Sequence, residues 1–261
     1  MRDSANFYAC LSPNFGDALG PWLIEKMMGT PAIYVHPHED IHHYVLSGSV
    51  LNHIGPRSEV WGTGIASMCE GINNNATFRM VRGPISAFMA RCNDCIVPDN
   101  VYGDAALVLP KILSPAKGKS HTYGVVPHYV DSATVMEAYR DKWNSPGEVK
   151  IINPFSPVEK FVEDVTSCRM IVSSSLHGLV VAQAYGIPFR WVTFTDKILG
   201  TGIKYWDFLM SVGLAGWESK PVADNFQDDN IGKFQGLFSD NRFQLGEFDI
   251  DKIWESFPLR G

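Results

Sequence analysis

Short apolar runs alternate with amphipathic stretches along the whole chain, and this alternation limits the possible folds more than any other feature. A strand buried on both faces reads as an unbroken apolar run, whereas a crossover helix shows an apolar stripe every three or four residues. Their regular succession is the pattern of parallel sheets covered by helices, an α/β fold. Strands are expected at Asn6–Cys10, Ala32–His36, Tyr44–Val50, Glu59–Gly62 and Ala76–Arg82. A second series is expected at Tyr123–Val126, Val149–Asn153, Met170–Ser174 and Phe189–Phe194. Between them, Asp17 caps a helix that runs to Met28 and stops at Gly29, and Pro84 opens one through Arg91. Further helices are expected at Ala133–Trp143, from the capping box Ser156-Pro157-Val158-Glu159 to Cys168, at Leu179–Tyr185 and at Lys204–Val212. A last one, Ile250–Phe257, is placed to pack across both halves.

The alternation pauses at LSPAKGKS, Leu113–Ser120, which is polar and carries Pro and Gly. The expected organisation is an N-terminal Rossmann-like lobe at 1–112, a linker at 113–121 and a C-terminal Rossmann-like lobe at 122–261, with a cleft between the lobes. Ligands of open parallel sheets lie beyond the carboxyl ends of the strands, so the strand-to-helix turns hold the candidate functional residues.

The 22 basic and 28 acidic residues give a formal charge of −6, and no basic stripe of the kind that binds nucleic acid is present. An anionic ligand would need a few placed cations instead of a global field. Five cysteines form no disulfide framework, and the Cys92/Cys95 pair lacks the second pair that a zinc site needs. No window reaches the ~18 apolar residues of a membrane span, and the N-terminus has no apolar signal core. A soluble cytoplasmic protein without an integral membrane segment is expected. His36, His38, His42 and His43 invite a metal reading, but they mix with Pro and acids in an expected loop. Solvated histidines are the preferred reading there, and no metal is expected.

The segment Met170–Pro188, MIVSSSLHGLVVAQAYGIP, is the most informative. An apolar strand ends in three Ser, then His177 and Gly178 open a helix whose first N–H groups have no helical partners and attract anions. Gly178 would allow close approach to such an anion, and His177 beside it would hold its charged form and donate a proton at neutral pH. The bland alternative is a histidine bonded within the turn. Asn14, Gly16 and Asp17 form the first strand-to-helix turn, where they bind hydroxyls or simply cap the helix. Gly62 and Gly64 suit close backbone approach. Asp104 either binds hydroxyls or ties down a turn, the latter being slightly preferred. His128, after a strand, is a second acid/base candidate, with packing as its equal alternative.

SSSLHGLVVAQAYGIP resembles the SSRLHGLIVAxAxGIP signature of the polysaccharide pyruvyltransferase family. NFGDALGP at Asn14–Pro21, WGTGI at Trp61–Ile65, RGPIS at Arg82–Ser86 and YGDAALVLP at Tyr102–Pro110 resemble further family segments in the same order, and PHYVD at Pro127–Asp131 recurs in some members. The resemblance implies two Rossmann-like lobes similar to the GT-B glycosyltransferases. It also implies transfer of pyruvate from phosphoenolpyruvate, with no further cofactor, to form a ketal on a hexose of a polysaccharide or a lipid-linked oligosaccharide. Synthesis on a lipid-linked precursor would put the chain near the inner membrane face. Arg82 and His177 match positions tied to the donor in that family, and Ser175 stands where many members have Arg. A guanidinium suits a phosphate or carboxylate, which makes Arg82 the first donor-binding candidate. Lys197 and Lys204, flanking DKILGTGIK in the second lobe, are candidates to replace the missing Arg at 175. Catalytic roles fall to His177 and His128, donor binding to Arg82, Ser175, Gly178, Lys197 and Lys204, and acceptor binding to Asn14, Asp17 and Asp104. The alternatives are a sugar-nucleotide glycosyltransferase and a non-catalytic glycan-binding relative.

Overall fold

The computed structural model describes residues 5–68, 71–99, 101–143, 147–198, 202–214, 222–223 and 245–259, without the side chains of 138–143 and 222–223. The chain divides into two compact units. Unit 1 is Met1–Val108, Leu199–Gly213 and Glu247–Gly261; unit 2 is Leu109–Ile198 and Leu214–Gly246. The expectation was two consecutive lobes joined by one linker, and here the structure differs. The first passage between units falls at Val108/Leu109, within a short 3-10 helix at Ala105–Lys111, and the chain then returns to unit 1, goes back to unit 2 and ends in unit 1.

The sheet of unit 1 contains β1 (Ala5–Phe7), β2 (Ala32–Tyr34), β3 (His43–Val45), β4 (Ser58–Trp61) and β5 (Thr77–Met80), in the order β2-β1-β3-β4-β5. All its pairings are parallel. Unit 2 contains β6 (His121–Val126), β7 (Val149–Ile151), β8 (Cys168–Ser173), β9 (Phe189–Thr193) and β10 (Val222–Ala223), in the order β10-β9-β8-β6-β7, again parallel throughout. Each sheet therefore has its own second strand outside its first, and the order reverses between β1 and β3 in unit 1 and between β6 and β8 in unit 2. This is the doubly wound topology, and its reversal points are where ligands of such sheets bind.

The helices are α1 (Phe15–Met28), α2 (Pro84–Cys92), α3 (Ser132–Trp143), α4 (Val158–Thr166), α5 (Leu176–Ala184), α6 (Ile203–Ser211) and α7 (Ile250–Glu255). Spacing explains α4, which buries Val158, Phe161, Val162 and Val165 on one stripe. The expected capping box does not form, because the helix begins after Pro157 and the Ser156 amide instead donates to the Asn153 carbonyl. Helix α5 is apolar on all sides and is buried from Leu176 to Gln183. Gly178 faces its sheet, where a Cβ would lie 2.3 Å from Ser173 Oγ and 2.9 Å from Val126 Cβ. The glycine serves helix–strand packing, a correction to its expected role beside an anion.

The core of unit 1 gathers Val45, Val60, Ile65, Phe78, Val81 and Ala87. Helix α7 is grouped with this unit: Trp61 Nε1 donates to Ser256 Oγ at 2.8 Å, and its ring meets that of Phe257 edge-on at 4.7 Å. The core of unit 2 centres on Tyr123, Val125, Val149, Val172 and Val192.

Candidate functional site

The reversal point of unit 2 carries a connected set of polar residues. Strands β6 and β8 pair with Val126 opposite Ser173, so the next residues of each leave the sheet side by side. The His128 amide donates to Ser174 Oγ at 2.8 Å, and that hydroxyl donates to Asp131 Oδ2 at 2.9 Å. Thr195, just past β9, donates its hydroxyl to Asp131 Oδ1 and accepts the Lys197 amide at 3.2 Å. Asp131 is wholly buried and closes the turn with its own amide on the His128 carbonyl. One carboxylate thus ties the segments after β6, β8 and β9 together. Sequence reasoning quoted Asp131 within PHYVD without giving it a role, and it passed over Thr195 and treated Ser174 as one of three serines. The available signal was a polar residue three positions past His128 in a chain whose strand ends should be polar.

His128 and His177 are both buried at this point. The Val130 amide lies 3.4 Å from His128 Nδ1, which makes that nitrogen an acceptor and leaves the proton of the neutral ring on Nε2. His177 sits in the first turn of α5, where backbone N–H groups lack helical partners. Ser175 is the N-cap, in extended conformation, and its side chain makes no capping bond. Its amide is held by Ser173 Oγ and the Val126 carbonyl. Lys197 is exposed.

The reversal point of unit 1 holds a second set. Asn14, not Asp17, caps α1: its Oδ1 accepts the Gly16 and Asp17 amides at 3.0 and 3.3 Å. Its Nδ2 donates to Asp17 Oδ2 at 2.6 Å and to Ser12 Oγ at 3.0 Å. Asn14 is thereby engaged as a cap and as a clamp on Asp17. Burial pushes the Asp17 carboxyl up to about 6, against the opposing pull of the Asn14 bond and of Lys204 on α6. Pro21, within α1, has no N–H to offer the Asp17 carbonyl. Nearby, burial raises the Cys10 thiol and pushes the Tyr8 phenol up to about 12, and the Asp17 charge adds to both. Lys204 therefore belongs to unit 1 and acts on Asp17, whereas it was expected in the second lobe; residues 199–201 of the loop before it lie outside the described residues.

Burial bears on two candidate ligand contacts. Arg82 is 0% exposed. Its Nε pairs with Asp207 on α6 at 3.1 Å, Nη1 reaches Ser49 Oγ at 2.8 Å and the Gly48 carbonyl at 3.3 Å, and Nη2 donates to the Ile65 carbonyl at 2.6 Å. The guanidinium is enclosed by protein acceptors, so it fastens the segments after β3 and β4 to α6 and presents nothing to a donor. Gly64 makes room for it, since a Cβ there would lie 2.5 Å from Arg82 Cζ. Asp207 also accepts the Ser86 amide and hydroxyl at 2.9 and 2.6 Å, a role that no sequence motif signalled. Asp104 is buried as well, and its Oδ1 accepts the Ala106 amide at 3.0 Å, so it caps a turn. His43 is not solvated: it lies buried in β3, with Nδ1 donating to the Ile41 carbonyl and Nε2 accepting from Ser58 Oγ. Burial lowers its pKa.

Among the described residues, no helix is long and apolar enough to cross a membrane, and no group of three or more His, Cys, Asp or Glu is arranged to hold a metal ion. The chain is 27% identical over 210 residues to an uncharacterised protein of Acanthamoeba polyphaga mimivirus, an alignment covering 77% of this chain and 71% of that relative. No solved structure matches it. The polysaccharide pyruvyl transferase profile matches residues 54–195, which take in His128, Asp131, Ser174, His177 and Thr195, and the chain belongs to that family.

Proposed function

We propose that the chain is a ketal-forming pyruvyltransferase that uses phosphoenolpyruvate as donor and a hexose of a polysaccharide or lipid-linked oligosaccharide as acceptor. The observation that carries this reading is the position of His177 in an anion-attracting first helical turn at the reversal point of unit 2, within a family of pyruvyl transferases. The donor phosphate would lie against the N–H groups opening α5, with Ser175 Oγ, His128 and Lys197 as further donors to its anionic groups. Next to an anion the imidazolium of His177 is favoured, which suits it to protonate the methylene carbon of the donor. The carbon that bears the phosphate then becomes oxocarbenium-like, and a sugar hydroxyl adds to it and loses its proton. Departure of phosphate with the C–O electron pair regenerates the cation, and a second hydroxyl closes the ketal and gives up its own proton. Within unit 1, Asp17 is the carboxylate proposed to bind sugar hydroxyls, with its carboxyl raised to about 6. Asn14 holds it in place. Arg82 acts as a positioning residue through α6, which carries Lys204. Such an enzyme would work in the cytoplasm, close to the inner membrane face where lipid-linked precursors are built.

The test is phosphate release from phosphoenolpyruvate in the presence of glycan acceptors. Release that depends on acceptor and vanishes in His177→Gln, with the thermal midpoint kept, is the expected result. Near-normal turnover in His177→Gln would remove the assigned acid. A midpoint raised by nucleotide sugars and untouched by phosphoenolpyruvate would move the chain to the glycosyltransferases, because a ligand stabilises the fold it binds by RT ln(1 + [L]/Kd).

A further inference from the structure

The exposed aromatic side chains of unit 2, among those described, are Tyr129 and Phe155, at 43% and 41% exposure. Both leave the carboxyl edge of the sheet from neighbouring parallel strands. Val125 of β6 pairs with Ile151 of β7, and each aromatic lies four residues beyond its paired residue. Both sit at the tips of bonded turns. The Asp131 amide closes the His128 turn at 2.8 Å, and the Ser156 amide closes the Asn153 turn at 3.2 Å, with the Phe155 amide held by Asn153 Oδ1 at 3.0 Å. Tyr129 is also braced by the His128 ring, 4.5 Å away between centroids, and its turn is fixed by the buried Asp131. Exposed rings on rigid turns keep a cost in apolar hydration that packing inward would have removed, and a pair of them beside a polar network is the composition of a binding surface.

We propose that Tyr129 and Phe155 form a stacking platform for a pyranose ring of the acceptor. For its choice of ligand this rests on the function proposed above. A pyranose offers an apolar C–H face with a rim of hydroxyls that both donate and accept. The rings match the face and leave the rim of hydroxyls to solvent. The net charge of −6 argues against a polyanionic strand lying on the same rings.

Saturation-transfer NMR with methyl β-D-glucopyranoside and methyl β-D-galactopyranoside tests the platform, with adenosine as the control ligand. Transfer to the ring C–H protons of at least one pyranoside is expected in the wild type and in Tyr129→Phe. The double variant Tyr129→Ala/Phe155→Ala is expected to weaken binding at least tenfold with the thermal midpoint unchanged. Phe155→Leu, which keeps apolar bulk without a ring, should weaken it severalfold even if the double variant folds poorly. Equal binding in these folded variants, or a wild type that takes adenosine and neither pyranoside, or none of the three, overturns the proposal. Neither phosphoenolpyruvate nor turnover enters the measurement. The platform can therefore fail while acceptor-dependent phosphate release persists, and it can stand where that release is absent.

Discussion

Asp17 and Arg82 show how burial alone sorts residues that the sequence places on equal terms. Asp17 is held half in and half out of protein with its carboxyl raised, a configuration that weakens the fold and so needs a reason outside stability. Its pKa is about 6 in the folded chain against the ordinary 3.8, so the folded state holds the proton more tightly. The resulting stabilisation is complete below the ordinary value and is lost as pH rises through the folded one. Asp17→Asn should therefore be more stable than the wild type at pH 7.5, by on the order of 2–3 kcal/mol, with the difference vanishing towards pH 4. Thermal midpoints across that range check the sign, and acceptor-dependent turnover should fall in the same variant. Arg82 is the opposite case. Arg82→Ala leaves Asp207 buried without its cation and should cost about 3–5 kcal/mol, measured by denaturant unfolding. A variant that kept its stability and lost only affinity for phosphoenolpyruvate would restore the guanidinium to the donor. His43 adds a pH response of its own. Its pKa is lowered in the folded state, so its contribution is full above the ordinary histidine value and declines as pH falls through the lowered one.

At the level of elements, the turns after β6, β8 and β9 stand or fall together on one carboxylate. Asp131→Ala takes the shared acceptor from the hydroxyls of Ser174 and Thr195, and losing a buried hydrogen-bond partner typically costs about 1–3 kcal/mol. The variant should lose stability by that order and lose turnover with it, read from unfolding curves and phosphate release. Gly178→Ala should also destabilise, by about 1–3 kcal/mol, because α5 has no room to retreat from Ser173 and Val126. The elements themselves were readable: the nine expected strands and seven expected helices all have counterparts, since period and burial are local properties of sequence. What was not readable depended on partners distant in the chain. The Arg82–Asp207 pair spans 125 residues and the Asp131–Thr195 bond spans 64, and no pattern within a helix or strand announces either. Motif positions therefore marked the right neighbourhood, while the division between ligand contact and scaffold was decided by packing. Gly64, Gly178 and Asp104 all turned out to be scaffold.

For the whole molecule, sequence order and spatial order part company. The expected break at 113–121 assumed that each unit is one continuous stretch, but unit 1 is completed by α6 and α7 from late in the chain. A fragment ending near residue 112 would lack both the partner of Arg82 and the cover over Trp61. It should show no cooperative unfolding when made alone, which circular dichroism on heating would check. The same interleaving has a consequence for biosynthesis. Trp61 waits for Ser256, 195 residues further on, and at translation rates of ~5–20 residues per second that interval is roughly 10–40 s. For that time the nascent chain carries a bare indole-lined patch, ready to stick to other emerging chains. Its yield in a cell should therefore depend on holdase chaperones at the ribosome more than its final stability would suggest.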